Sequence, residues 1–397
     1  MHASPSALDT AGHISYHFVT VSLEIEMGKK LHNRLATRRI LHFPCIGMLL
    51  LLSAAVLPVG LSAAPHSERP TVHNGHISLT EVSSARVIPL NGEWKFIPQR
   101  LVRSFSGIET FGLIPVPSDW NDRVSSENGL ELGTYGLTIE GLIPGESYSL
   151  HLGEIGAAAR VFANGTYIGQ TAAPTPQSDG PEISFARPIF SFKASQGNTH
   201  ITIQVSNSDL AVGGIWQRIF FGTTPAVYRH RMIRTALDMF FIGGIFILGI
   251  YYLFVYLLWR EQYSSLMLAF YSFLVALKSI FSGQQIIFTA LPAFPDLFGI
   301  RMAHLATVIS VPIFLQFVRS LYPGISGKAG ILLSSSAALL QSILIIFFPP
   351  SVFQQTAFWY HGVIALHVPY IFWIFFAAQK RGYSGVAIGV IGFIILI

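Results

Sequence analysis

The chain has 397 residues, 51% of them hydrophobic and only 11% charged, with a mean hydropathy of +0.52. Soluble domains carry about 25% charged residues, so a single water-soluble globule fits poorly and the composition is that of a membrane protein. The 35 glycines and 22 prolines are spread along the chain, which argues against a collagen-like or low-complexity protein. A net charge of +5 is modest, and the basic excess lies in an N-terminal segment and beside hydrophobic runs. Membrane topology explains that placement better than nucleic-acid binding. Cys45 is the single cysteine, so neither a disulfide framework nor a cysteine zinc site can be built.

Residues 1–64 have the layout of an N-terminal extension and signal peptide. Lys29, Lys30, Arg34, Arg38 and Arg39 precede the apolar run from Ile46 to Leu57, and small residues come next at Ser62, Ala63 and Ala64. A basic start, a short apolar stretch and a small-residue end direct the rest of the chain out of the cytoplasm. Met27 stands just ahead of the basic residues, so residues 1–26 are expected to be an over-long start. Cys45 would leave with the cleaved segment.

Residues 65–233 read as an exported all-β sandwich. Short alternating runs recur at Tyr135–Ile139, Tyr148–Leu152, Arg160–Ala163 and His200–Val205. The turn signals Pro144-Gly145, Asn164-Gly165, Asp179-Gly180 and Gln196-Gly197-Asn198 separate or flank them. Many short strands at turn-spaced intervals favour two packed sheets. Asn164-Gly165 fits a tight hairpin turn that needs positive φ. Trp94, Trp120 and Tyr135 supply large apolar area to a core.

Residues 234–397 change character. From Ala236 onward only ten charged residues occur: Asp238, Arg260, Glu261, Lys278, Asp296, Arg301, Arg319, Lys328, Lys380 and Arg381. Between them lie apolar runs near 236–259, 264–283, 300–321, 328–348 and 354–378, each close to the ~20 residues a bilayer requires. A sixth run begins at about 384 and stops in mid-span, so the chain is expected to be a truncated form of a longer bundle. If the β region is exported, Arg260, Arg319 with Lys328, and Lys380 with Arg381 fall on the inner side. The outer loops 284–299 and 349–353 contain no Lys or Arg, as the positive-inside rule requires. Arg229, Arg231 and Arg234 oppose the rule, which a long translocated domain overrides. The expected location is the bacterial inner membrane, multi-pass, with the N-terminal domain in the periplasm.

The order of signals in the β region is Leu90-Asn91-Gly92-Glu93-Trp94, Pro115-Val116-Pro117-Ser118-Asp119-Trp120, Gly133-Thr134-Tyr135, Val161 to Gly169, and Ile201 to Asn207. Gly213-Gly214-Ile215-Trp216 and Phe221-Gly222 then lead into the first helix. This set resembles the galactose-binding-like jelly roll that accompanies many glycoside hydrolases. With the helices behind it, the chain from about residue 85 resembles bacterial seven-transmembrane receptors with diverse intracellular signalling modules (7TM-DISM). The resemblance implies a jelly-roll sensor, seven helices and a cytoplasmic output module, of which the seventh helix and the module are expected to lie beyond the truncated sixth run.

Candidate site residues are chosen by residue type. Sugar sites pair aromatic faces with planar polar groups, so Asp119, Trp120, Asn121, Asn207 and Asp209 are candidate ligand-binding residues. The competing reading makes Trp120 scaffold and Asn207 and Asp209 turn formers. Trp216 is placed at the sandwich–bundle junction or at a ligand mouth. Charges near the outer ends of spans are costly to bury, and Asp238, Lys278 and Arg301 are candidates for coupling the sandwich to the helices. Snorkelling to the interface is their simpler explanation.

Enzyme chemistry has little to stand on. Glu131, Glu140, Glu146 and Glu154 are scattered, whereas a glycosidase holds two carboxylates about 5–9.5 Å apart. There is no phosphate-binding glycine loop, kinase signature or nucleophile elbow. His304, His361 and His367 form no paired-helix haem pattern, and no cofactor or metal is implied. The expected function is a signal-transduction receptor whose periplasmic sandwich senses a small molecule or carbohydrate. Membrane lipid and a second copy of the chain are the other candidate partners, and nucleic acid is not one. The alternative is a multi-span transporter or channel with an accessory carbohydrate-binding-like domain. It would call for an inverted repeat or broken mid-membrane helices, and neither is seen in the sequence.

Overall fold

A computed structural model of the chain describes residues 70–79, 86–120, 132–153, 155, 158–172, 187–206, 213–291 and 294–396. The signal-peptide-like segment with Cys45, and the candidates Asn121, Asn207 and Asp209, lie outside the described residues. The described strands, in chain order, are β1 (His76–Ser78), β2 (Ile88–Pro89), β3 (Gly92–Pro98), β4 (Gly112–Val116), β5 (Ser118–Asp119), β6 (Leu132–Glu140) and β7 (Ser147–His151). They continue with β8 (Ala158–Ala163), β9 (Thr166–Gln170), β10 (Ile189–Lys193), β11 (Asn198–Ser206), β12 (Gly214–Ile215) and β13 (Phe220–Thr223).

The larger sheet runs β4-β3-β6-β11-β8-β9, with β1 adding in parallel to β6. The second sheet runs β10-β7-β13-β2, and β12 pairs with β5. All four runs expected as strands are strands. Because side chains alternate along a strand, Leu137, Ile139, Ile201, Ile203 and Val205 of the first sheet meet Leu150, Phe190 and Phe221 of the second in one core. Trp94, Trp120 and Tyr135 are fully buried there. A buried aromatic removes about 150–250 Å² from water, worth roughly 4–6 kcal/mol of transfer free energy. Asn164 and Gly165 both hold positive φ, +50° and +76°. Ala163 pairs with Thr166 across them, so this is the two-residue hairpin the sequence calls for.

The outer face of the larger sheet is covered by the segment after β3. Gln204 donates to the Val102 carbonyl (3.0 Å) and Thr134 to the Arg100 carbonyl (2.6 Å). Thr134 of β6 and the Gln204 amide nitrogen of β11 thereby gain partners, as burial demands.

The helices are α1 (Thr224–Leu258), α2 (Tyr263–Phe281), α3 (Ile286–Ala290), α4 (Asp296–Leu321), α5 (Ala329–Phe347), α6 (Pro350–Lys380) and α7 (Val386–Leu396). All but α3 and α7 are long and apolar enough to cross a membrane. The β-sandwich followed by a multi-span helical region is the fold class expected from the sequence. Two details differ. The first helix starts at Thr224 rather than near 236, because its polar opening turns carry no hydropathy signal. The loop expected over 284–299 contains the short helix α3, too brief to show a period.

Aromatic and polar contacts tie the spans together. Phe246 of α1 meets Phe273 of α2 with ring centroids 5.5 Å apart, and Gly249 leaves room for that ring, which an added Cβ would approach to 2.7 Å. Tyr271 of α2 meets Phe314 of α4 at 5.0 Å. Tyr360 of α6 donates to the Val308 carbonyl of α4 (2.8 Å), and Gln341 of α5 donates to Phe353 O and Thr356 Oγ1 of α6, both at 3.1 Å. Interhelical hydrogen bonds of this kind suit a setting without water. His304, His361 and His367 each direct Nδ1 at the carbonyl four residues earlier. A carbonyl only accepts, so each ring carries its proton on Nδ1.

Candidate functional site at the sandwich–helix junction

β13 passes into α1 without a spacer: Thr223 is the last strand residue and Thr224 the first helical one. Pro225 sits in the first turn, where its fixed φ suits helix entry and its missing N–H costs nothing. Alternation on β7 sends Tyr148 and Leu150 into the core and Ser149 and His151 to the opposite face. Ser149 donates to Thr224 Oγ1 (2.9 Å) and shares a hydrogen bond with Ser191 (2.8 Å). The opening turn of α1 is therefore seated on the second sheet, with Ala226 and Val227 buried.

Basic and aromatic groups alternate along this seam. The ring of Phe220 lies 6.4 Å from that of His151 and 4.9 Å from that of His230. The Arg234 guanidinium sits 5.3 Å from the Phe220 centroid, a cation–π distance. His151 is only 4% exposed, and neither ring nitrogen has a hydrogen-bond partner. Burial above all, then the positive charges of Arg231, His230, Arg187 and Arg234, holds its pKa down to about 3. The imidazole is therefore neutral, and every charge acting on it is basic.

Beside this seam lies a cavity of about 310 Å³. The sandwich contributes Arg187 and Gln217; the segment from the end of α2 through α3 contributes Phe281, Gln285 and Phe288; α4 contributes Ile300 and His304; and α6 contributes Gln354. The loops after α2 and before α6 thus lie on the sandwich side of the bundle, the pairing that the charge distribution implies. Gln285 is 4% exposed, its Oε1 has no hydrogen-bond partner, and its φ is +51°.

The residues singled out in the sequence take several different places. Trp120 lies in the core, stacked on Tyr135 at 6.1 Å, with no ring face left for a ligand; its role there is scaffold. Asp119 is half-buried in β5, opposite Gly214 of β12. Trp216 packs against the helical cluster that contains Phe288, Ile300 and Phe353, so the Gly213–Trp216 segment reaches from the sandwich core to the helices. Asp238 accepts from the Gln284 backbone N–H (3.0 Å) and so secures the loop before α3. Arg301 donates to the carbonyls of Ile346 and Phe348, capping the end of α5 as a basic group suits a helix C-terminus. Lys278 is exposed in the last turn of α2. Among the described residues no ion pair joins Asp238, Lys278 and Arg301. Arg187, Gln217, Gln285, Gln354 and His151 give no warning in the sequence, since isolated residues in loops and on strands carry no periodic signal. Among the described residues no group of three or more His, Cys, Asp or Glu could hold a metal ion.

Residues 234–397 match the family model described as 7TM diverse intracellular signalling. The helical region is similar to that receptor family over its whole length. Five membrane-length helices and this match mark a multi-pass membrane protein, and the match supports a membrane receptor. Among solved structures, a β-glucuronidase from an uncultured Clostridium sp. is similar at 18% identity and a TM-score of 0.26, over 34% of this chain and 28% of that one. The β-glucuronidase of Ruminococcus gnavus has 15% identity and a TM-score of 0.27, over 34% and 28%. A GH2 β-galacturonidase from Eisenbergiella tayi bound to glycerol has 17% identity and a TM-score of 0.26, over 34% and 24%. The chain spans less than a third of the length of each of these enzymes. Comparison with curated proteins gave no match.

Proposed function

We propose that this chain is the sensing part of a receptor whose exported sandwich binds a small molecule or carbohydrate. A change in the sandwich passes through the helices to a cytoplasmic output module. The observation that carries this reading is the uninterrupted passage from β13, a strand of the second sheet, into α1. A strand that becomes a membrane helix with no flexible residue between them transmits a tilt of the sheet as a tilt or rotation of the helix. The match to the 7TM signalling family supports the same direction of information flow. A ligand drives such a change only by binding two arrangements with different affinity.

Topology is the first test. The reading places the α4–α5 loop, near Lys328, in the cytoplasm and the α5–α6 loop, near Ser351, in the periplasm. Alkaline phosphatase fused at Ser351 should be active and the fusion at Lys328 inactive. The reverse pattern would place the sandwich inside the cell and end the proposal.

A further inference from the structure

The seam where α1 leaves the sandwich brings two histidines to one aromatic ring. His151 of β7 and Phe220 of β13 are direct cross-strand partners, with ring centroids 6.4 Å apart, and the His230 ring of α1 lies 4.9 Å from Phe220. Arg234, one turn beyond His230, holds its guanidinium 5.3 Å from the same ring. Phe220 is thus a contact through which the second sheet bears on the helix. His151 Nδ1, His151 Nε2 and His230 Nε2 are all enclosed there and have no hydrogen-bond partner.

Enclosed polar atoms without partners disfavour the arrangement that encloses them, and all three belong to this one contact. Water entering the seam would satisfy them, whereas a proton entering the closed seam would find no acceptor for its N–H. The groups facing His151 are Ile189 across β10 and Phe220 across β13, then His230, Arg231 and Arg234 from α1 and Arg187 from the segment before β10. Arg187 and Arg231 are engaged within the protein and enter only as positive charge. Among the described residues no carboxylate acts on His151. The closed seam therefore excludes the imidazolium form, and an open seam accepts it.

We propose that this seam is a proton-operated latch: protonation of His151 and His230 releases the opening turns of α1 from β7 and β13, which makes acidification on the sandwich side an input to the receptor. The latch is a property of the seam, and its consequence for signalling rests on the receptor reading. The Ser149–Thr224 hydrogen bond and the buried Ala226 and Val227 hold the seam shut at neutral pH. A histidine in water titrates near pH ~6.5. Each one that stays neutral in the closed seam and is free to protonate in the open one raises the open-to-closed ratio as pH falls below that value. The factor is about 10 at pH 5.5 and about 30 at pH 5. The two together give up to about 100-fold and about 1,000-fold, against the ~10⁴ that takes a two-state element from about 1:99 to about 99:1.

The test uses the full chain in phosphatidylcholine nanodiscs, with Cys45→Ser and spin labels at Lys193→Cys on β10 and Met232→Cys on α1, both exposed positions. The label–label distance is read by pulsed electron resonance on samples frozen between pH 7.5 and pH 5.0. A second, longer distance should grow in as pH falls below ~6.5 and vanish on return to pH 7.5. His151→Leu should lower the midpoint by at least about half a pH unit. His230→Leu should do the same, which keeps the test decisive if a His151 variant folds poorly. The double variant should hold the neutral distance at pH 5.0. An unchanged distance in the parent, or the same change in the double variant, overturns the proposal. So does a change accompanied by loss of the sheet signal in circular dichroism, which would be unfolding of the sandwich. Labels at Leu258→Cys and Leu321→Cys, on the last residues of α1 and α4, separate the latch from the receptor reading. A seam that opens in acid while this second distance stays fixed keeps the latch and removes the receptor reading of it.

Discussion

His151 should make the sandwich sensitive to acid. Its pKa of about 3 in the folded protein lies far below the ~6.5 of an unfolded histidine, so folding holds it neutral. Below pH 6.5 the unfolded chain binds a proton that the folded chain refuses. The stability it contributes is complete above that pH and is lost progressively as pH falls toward 3. At about 1.4 kcal/mol per pH unit, a drop to pH 4.5 removes roughly 2–3 kcal/mol, a large share of a typical domain's margin. The assay is urea unfolding of the full chain in micelles, followed by the fluorescence of the buried Trp94 and Trp120, at pH 7.5 and pH 4.5. His151→Leu removes the titration and two buried ring nitrogens without partners. It should be at least as stable as the parent at pH 7.5 and lose about 2–3 kcal/mol less on acidification. Identical pH slopes for parent and variant would refute the reasoning, because the acid sensitivity would then belong to other groups.

Two further perturbations test the packing and the helix ends. Gly213→Ala places a Cβ 2.1 Å from Trp120 Nε1, so it should cost about 1–3 kcal/mol through overpacking, read as a lower urea midpoint of the sandwich. Arg301→Ala leaves the carbonyls at the end of α5 uncapped and should cost about 1.5–3 kcal/mol of local stability. Hydrogen exchange should rise in residues 344–349 and stay unchanged in the sandwich.

Much of the architecture is legible in the sequence because it is periodic. The runs around Tyr135, Tyr148, Arg160 and His200 alternate, and each is a strand. The apolar runs mark the spans to within a few residues at most boundaries, since hydropathy reports the membrane directly. The exception is the start of α1, where helix continues through Arg229 to Arg234 on the strength of packing against β7 and β13. Trp94, Trp120 and Tyr135 announce a core by size alone. The site is less legible because it is built from single residues brought together across the chain. Arg187 and Gln217 are loop residues far apart in sequence, and Gln285 stands out for its backbone and its unmet oxygen, neither of which is written in its neighbours. Trp120 shows the reverse case: a residue of ligand-binding type that the fold uses for packing.

The direct join of β13 to α1 sets an angular phase between the two parts of the chain. Successive residues of an α-helix turn by about 100° and advance 1.5 Å. Adding or deleting one residue in the opening turns of α1 would swing the sandwich about a third of a circle relative to the spans. Gln217 and Arg187 would leave the wall they share with Gln285, His304 and Gln354, although each part could still fold. Lengthening at this join is therefore tolerable only in steps near a whole number of turns, such as seven residues, which would raise the sandwich by about 10 Å. The seam works as a keyed shaft, in which height and rotation cannot be varied separately.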